Sequence, residues 1–269
     1  MNHLLRQIAP ITDAGWARLD EEATERLGVS LAARKLVDFA GPYGWQYSAA
    51  NLGRVRALAE GPVEAVTGRQ RIVLPLVELR AEFRLSRSEL EDAERGAPDV
   101  DLHSLDEAAR RIAVAENTAV FHGYEAARIH GIADSSPQTR IPLGEDCESY
   151  PRLVATAIQS LRNAGIGGPY GLALAPGPYT GVIETAEHGG YLLLEHLRHI
   201  LEGPIVWAPG VRGAVVLSLR GGDFLFETGQ DLAIGYDRHD AGEVHLYLEE
   251  SFALRIATPE AAVWLSDTG

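Results

Sequence analysis

An α+β fold is predicted by three observations along this chain. Residues 77–85 alternate strictly, with Val77, Leu79, Ala81, Phe83 and Leu85 set against Glu78, Arg80, Glu82 and Arg84, which gives a strand with one apolar and one charged face. Between Leu105 and Tyr124 the period changes. Leu105, Ala109, Ile112, Ala119 and Tyr124 mark one face of a helix, and Asp106, Glu107, Arg110, Arg111 and Glu116 fall largely between them, on its solvated side. Alternation returns at Val244–Glu249 and Phe252–Ala257, as expected of antiparallel strands. A helix of about 20 residues is about 30 Å long, enough to serve a whole domain as a spine.

The elements follow in order. Thr12 and Asp13 form a start signal, after which Trp16, Leu19, Ala23, Leu27 and Leu31 mark one face of an N-terminal helical arm. Helical character continues through Ala32, Ala33 and Leu36 until Gly41-Pro42 stops it. The segment GPYGWQYSAANLG reads as a packed turn leading into an extended excursion. Residues 51–71 carry few apolar side chains in any regular period, so a long, projecting, partly β loop is expected there. A strand then covers 72–85, with Pro75 near its entry. For the spine helix, Ser104 is a plausible N-cap with Glu107 at the capping-box position, Asp101 competes for that role, and Gly131 suits the stop. Residues 135–149 read as loop. An amphipathic helix covers Pro151–Ala164, closed by Gly165. Short apolar strands are expected at Gly171–Ala175, Ile205–Ala208, Ala214–Leu219 and Phe224–Glu227, with Leu192–Leu201 helical.

Composition bounds the function. With 269 residues, 46 % of them hydrophobic and 23 % charged, the chain can bury a substantial core. A net charge of −14 argues against nucleic acid and anionic membrane as partners, since both select clustered Lys and Arg, and Lys35 is the sole lysine. One cysteine, Cys147, allows neither an intrachain disulfide nor a Cys-rich zinc site. No long apolar run occurs, so a cytoplasmic, soluble protein is expected.

The chemistry-bearing motifs are weak. There is no G-x-S-x-G elbow, P-loop or H-E-x-x-H. GIGGPYG at 165–171 lacks dinucleotide-binding spacing and reads as a helix end plus turn. His196 and His199 beside Glu195 lack a third fixed ligand. Cys147 sits among Glu145, Asp146 and Glu148, which oppose a thiolate. An enzyme is therefore not expected, and neither a cofactor nor a metal is assigned.

Five segments, taken together, carry a resemblance: LLRQIAPITDAGWARLDEEA from Leu4, AARKLVDFAGPYGWQYSA from Ala32, ELEDAERG from Glu89, GPY at 168–170, and RGGDFLFETGQDLAIGYDRHD from Arg220. Their order and spacing resemble the encapsulins, shell proteins of microbial nanocompartments, of the family 1, linocin-like type. The resemblance implies a Hong Kong 97 phage-type capsid fold: an N-terminal helical arm over 1–47, an extended loop over 48–75, a peripheral domain over 76–132 and 223–269, and an axial domain over 133–222. It implies self-assembly into icosahedral shells of sixty copies or a multiple of sixty. It also implies encapsulation of a cargo enzyme, a dye-decolourising peroxidase or a ferritin-like protein, bound through a C-terminal targeting peptide. The residues matching the family's peptide groove are Leu27, Leu31, Arg34 and Asp38 from the arm, and Asp231, Leu232, Ile234 and Tyr236 from GQDLAIGY. Those matching its fivefold pore are Glu184, Glu187, His188, Gly189, Gly190 and Tyr191. Ser88 stands near where some relatives carry a flavin-contacting tryptophan, so no flavin is expected. A prophage major capsid protein and a bacteriocin or peptidase are the alternatives. The acidic charge weighs against the first, and the missing nucleophile and base pair against the second.

Overall fold

The computed structural model describes residues 3–186 and 192–267. The arm begins with helix α1, Asp13–Ser30, and the Thr12 hydroxyl accepts the Gly15 N–H at 3.2 Å to cap it. Its buried face is Trp16, Leu19, Ala23 and Leu27, as the period requires. One 3-10 turn, Ala33–Lys35, leads into a short strand, β1 (Asp38–Ala40), where the sequence suggested only the end of a helix.

The excursion is a two-stranded antiparallel hairpin, β2 (Ala49–Ala57) and β3 (Arg69–Pro75). It has no second layer, and Val55, Val63, Val66, Ile72 and Val73 are all exposed. The alternating strand β4 (Val77–Ser86) is separate from β3, because the expected strand over 72–85 breaks at Leu76, whose N–H bonds back to Ser48. Helix α2 (Arg87–Glu94) follows.

The spine is α3, His103–His122. Its start and stop differ from expectation. The Ser104 hydroxyl donates instead to the Arg84 carbonyl at 2.5 Å, and Asp101 accepts the His103 N–H at 3.0 Å. The stop is Gly123 at φ 86°, where a side chain would come within 2.7 Å of the Ile129 carbonyl, so Gly131 lies past the end and Tyr124 is exposed outside the helix.

Beyond the spine lie α4 (Ile132–Ser135), β5 (Ile141–Pro142), α5 (Tyr150–Asn163), β6 (Tyr170–Leu174), α6 (Pro176–Glu184) and α7 (Leu193–Leu201). They are followed by β7 (Ile205–Trp207), β8 (Ala214–Ser218), β9 (Phe224–Thr228), β10 (Ala233–His239), β11 (Glu243–Ile256) and β12 (Ala262–Ser266). Helix α6 was masked in the sequence by Pro-Gly-Pro, yet proline at the first helical position fits a helix start.

These elements make two five-stranded sheets. In the first, β11 is a single strand of 14 residues, longer than the two segments expected, and it pairs with β4, β9 and β10. β1 adds to β9 in parallel. The second sheet has the order β5-β12-β8-β6-β7. The chain therefore crosses back at its end, where β12 pairs with β8. The run AVWLS is buried on both faces there, which is why no alternation betrayed it.

The spine joins the two cores. Leu105, Ala108, Ala109, Ile112 and Ala113 pack with α1, β4, β10 and β11, while Ala119, Val120 and Phe121 pack with α5 and the second sheet.

Candidate functional site

Between the arm and the first sheet, one guanidinium organises the surroundings. Arg34 lies in the turn after α1. Its Nε donates to Glu116 Oε2 at 2.7 Å, its Nη1 to Asp231 Oδ1 at 2.6 Å and its Nη2 to Glu250 Oε2 at 2.8 Å. The three carboxylates come from α3, from the turn between β9 and β10, and from β11, so a single side chain ties four segments distant in sequence. Phe39 and Phe226 flank it with ring centroids 5.3 and 5.2 Å from Cζ. Burial opposes the Arg34 charge, but Glu116, Glu250 and Asp231 outweigh that effect and raise its pKa above the ordinary guanidinium value.

Glu116 and Glu250 are both fully buried. Helical periodicity placed Glu116 on the solvated side of the spine, and the structure overturns that reading: the side chain points inward because the arm supplies Arg34 to meet it. Burial raises both glutamic acids above the usual carboxylate range, Glu250 well above it, with the neighbouring Glu116 charge as its second cause. Next along the spine, the buried Asn117 accepts the N–H groups of Ala32 and Ala33 and donates to the carbonyls of Ser30 and Pro209, at 2.8 to 3.1 Å.

The eight residues matched to a peptide groove do not share one environment. Leu27, Ile234 and Tyr236 are buried within the chain's own core. Leu31 and Leu232 are half-buried at its edge. Arg34 and Asp231 are joined as above. Asp38 faces elsewhere and accepts the Gly222 N–H at 2.6 Å. Phe39, 40 % exposed beside Arg34, was missed, because a single aromatic after a helix stop carries no periodic signal.

The outer edge of β10 is also in use. The Tyr236 N–H bonds to the Leu4 carbonyl at 2.9 Å, and Arg6 Nε donates to the Ile234 carbonyl at 2.9 Å. Arg6 pairs with Asp20 and lies over Trp16, so residues 4–6 are pinned between α1 and β10.

Of the pore set, Glu184 is exposed as the last residue of α6, whereas Glu187, His188, Gly189, Gly190 and Tyr191 lie outside the described residues. An isolated bridge between Ala186 and Leu192 draws the flanks of that segment together. Among the described residues one trio, Asp240, Glu243 and His245, could hold a metal ion, but Asp240 Oδ1 already accepts the N–H groups of Gly242 and Glu243. Glu195, beside His196 and His199, is engaged by Arg198 at 2.7 Å. Among the described residues no helix is long and apolar enough to cross a membrane.

A family model described as encapsulating protein for peroxidase matches residues 1–253. The type 1 encapsulin shell protein of Rhodospirillum rubrum is 49 % identical over 268 residues, covering 98 % of this chain and 96 % of its own. That of Mycobacterium tuberculosis is 42 % identical over 266 residues, covering 99 % and 100 %. Among solved structures, the virus-like particle from Pyrococcus furiosus matches with a TM-score of 0.63 at 17 % identity, covering 92 % of this chain and 98 % of that one. The capsid of an empty GTA particle matches at 0.52 and 14 %, covering 89 % and 90 %. These likenesses establish the Hong Kong 97-type capsid fold that the resemblance implied. With a family match over residues 1–253 and identities of 49 and 42 % along nearly the whole length, the chain belongs to the type 1 encapsulin shell proteins, as a structural component and not an enzyme.

Proposed function

We propose that copies of this chain close into an icosahedral shell of sixty subunits or a multiple of sixty. In the cytoplasm, this shell would enclose a cargo enzyme that docks by a C-terminal targeting peptide. The observation that carries the assembly reading is the β2–β3 hairpin. A lone two-stranded ribbon is marginal in water, and five valines and isoleucines stand exposed on this one, so a neighbouring subunit is the natural cover. Many copies of one modest contact then sum to a stable closed particle.

The peptide seat is supported by the half-buried Leu31 and Leu232, the exposed Phe39 ring and the charged pair Arg34–Asp231 on one rim. Burying two or three aliphatic anchors contributes about 4 to 6 kcal/mol, and ordering the peptide takes back several, so one peptide binds weakly and an oligomeric cargo gains by avidity. Leu27 of the arm and Ile234 and Tyr236 of β10 act from beneath, in the core where the arm packs upon the sheet. The family description supports a peroxidase as the cargo, and a ferritin-like protein is the second candidate. Farther along the chain, Glu184, Glu187 and His188 would repeat around a fivefold pore, with His188 making solute entry pH-sensitive.

The test is expression followed by electron microscopy, then co-expression with a fluorescent protein bearing the C-terminal peptide of a peroxidase from a neighbouring reading frame. Hollow, nucleic-acid-free particles that retain the fluorescent protein are expected, with retention lost in Leu31→Asp and Leu232→Asp. A stable monomer would refute the shell reading, and equal retention in both variants the peptide seat.

A further inference from the structure

The Arg34 site carries more negative charge than one guanidinium can neutralise. Asp231 keeps 41 % of its side-chain surface in solvent. Glu116 and Glu250 have no such access, at 0 % exposure each. Each gives its Oε2 to Arg34, and each is left with an Oε1 that has no hydrogen-bond donor. Both are held by the same guanidinium, Glu116 on Nε at 2.7 Å and Glu250 on Nη2 at 2.8 Å, which sets the two carboxyl groups side by side. Two ionised carboxylates side by side in that buried site would repel one another, and both orphan oxygens would remain unsatisfied.

We infer that Glu116 and Glu250 share one proton, carried on Glu250 and donated to Glu116, and that this proton lets Arg34 latch the N-terminal arm onto the body. One bound proton resolves both problems: it removes the like-charge contact and supplies the single O–H that two facing acceptors need. The remaining charges balance more nearly, with Arg34 set against ionised Glu116 and the solvated Asp231.

The other groups around the pair do not replace that proton. From β9 and β1, Phe226 and Phe39 present rings to Arg34. Glu227 on β9 accepts the Tyr47 hydroxyl at 2.9 Å, and Asp38 on β1 is held by Gly222. Asn117 on the spine is occupied by Ser30, Ala32, Ala33 and Pro209. The latched elements are the turn after α1, the spine, the β9–β10 turn and β11.

The sign of the pH effect follows from linkage. A carboxyl whose pKa is raised in the latched state holds a proton that the opened state releases. The latch is therefore fully formed below the ordinary glutamic acid range and weakens as pH rises toward the raised value of Glu250. Within that window the arm-opening equilibrium climbs about tenfold per pH unit, one proton being lost on opening.

The experiment uses assembled, cargo-free protein, so its outcome is independent of the peptide seat. Infrared difference spectra on raising pH should lose a protonated-carboxyl C=O band in the native chain, and E250Q should lack that band throughout. Limited proteolysis between Ser30 and Lys35 should accelerate with pH in the native chain relative to E250Q, whose amide donates to Glu116 at every pH and reaches Arg34 through its carbonyl. E116Q, with the amide on the other side, should show the same insensitivity. The inference is overturned if the native chain lacks the band, or if native and E250Q cleavage rates keep a constant ratio across pH. Failure of E250Q to assemble would also overturn it, because glutamine reproduces the protonated state.

Discussion

Arg34 and Glu116 meet at 2.7 Å across 82 residues of chain, and the meeting turns what would be a solvated helix position into the centre of the molecule. The arm reaches the spine there with a buried charge on each side, so the contact is specific as well as strong. Removing one partner of such a pair is far more damaging than removing both. Arg34→Met should therefore lower stability by about 3 to 5 kcal/mol, as Glu116 and Glu250 lose their cation in a water-free site. Arg34→Lys should fall well short of full rescue, since one ammonium cannot serve three carboxylates in a fork. Urea titration of the assembled protein, followed by tryptophan fluorescence, measures both.

Asn117 acts beside that pair by hydrogen bonds alone. Asn117→Leu keeps the volume but leaves two N–H groups of the arm and two carbonyls without partners. At about 1 to 3 kcal/mol for an unsatisfied buried group, the variant should form few soluble particles, whereas an exposed change such as Glu107→Gln should leave yield unaltered. Particle yield by size exclusion separates the two.

The β2–β3 hairpin makes the opposite prediction, since it lies outside both cores and its proposed role is assembly. Replacing residues 52–72 by a tight turn should preserve the fold of the single chain, with its near-ultraviolet dichroism, while the particle mass collapses to small oligomers. Sedimentation velocity reads the difference, and particles of unchanged mass would mean that the exposed valines have no partner in the shell.

His122 gives a second pH effect of opposite sign to the Arg34 latch. Burial first, and the Arg212 charge second, lower its pKa to about 4, and its Nε2 accepts the Arg212 N–H at 2.9 Å, which requires the neutral ring. The unfolded chain protonates histidine near 6.5, so between that value and about 4 the unfolded state binds the extra proton. Stability attributable to His122 is present above pH 6.5 and is lost as pH falls toward 4. His122→Gln should flatten the acid limb of the melting temperature without altering its alkaline side.

The sequence by itself determined the alternating strand β4, the amphipathic faces of α1 and α5, the buried stripe of the spine and the unsupported excursion at 51–71. Each of these is a local pattern, set by which side of a helix or strand must leave water. The five ordered segments that resemble the encapsulins also stood in the chain, and the family match and the capsid fold bear them out.

What only the tertiary structure decided depends on partners far away in sequence. Glu116 is spaced like a surface residue and is buried because Arg34 arrives from the arm. The strand at 262–266 shows no alternation because both of its faces are covered, so only β8 reveals which sheet it joins. Leu27, Ile234 and Tyr236 are spent on packing the arm, while Leu31, Leu232 and Phe39 remain toward the surface. Periodicity reports that a side chain prefers burial or water. Which neighbour buries it, and whether a charge can follow it inward, is settled when distant segments meet and their charges balance.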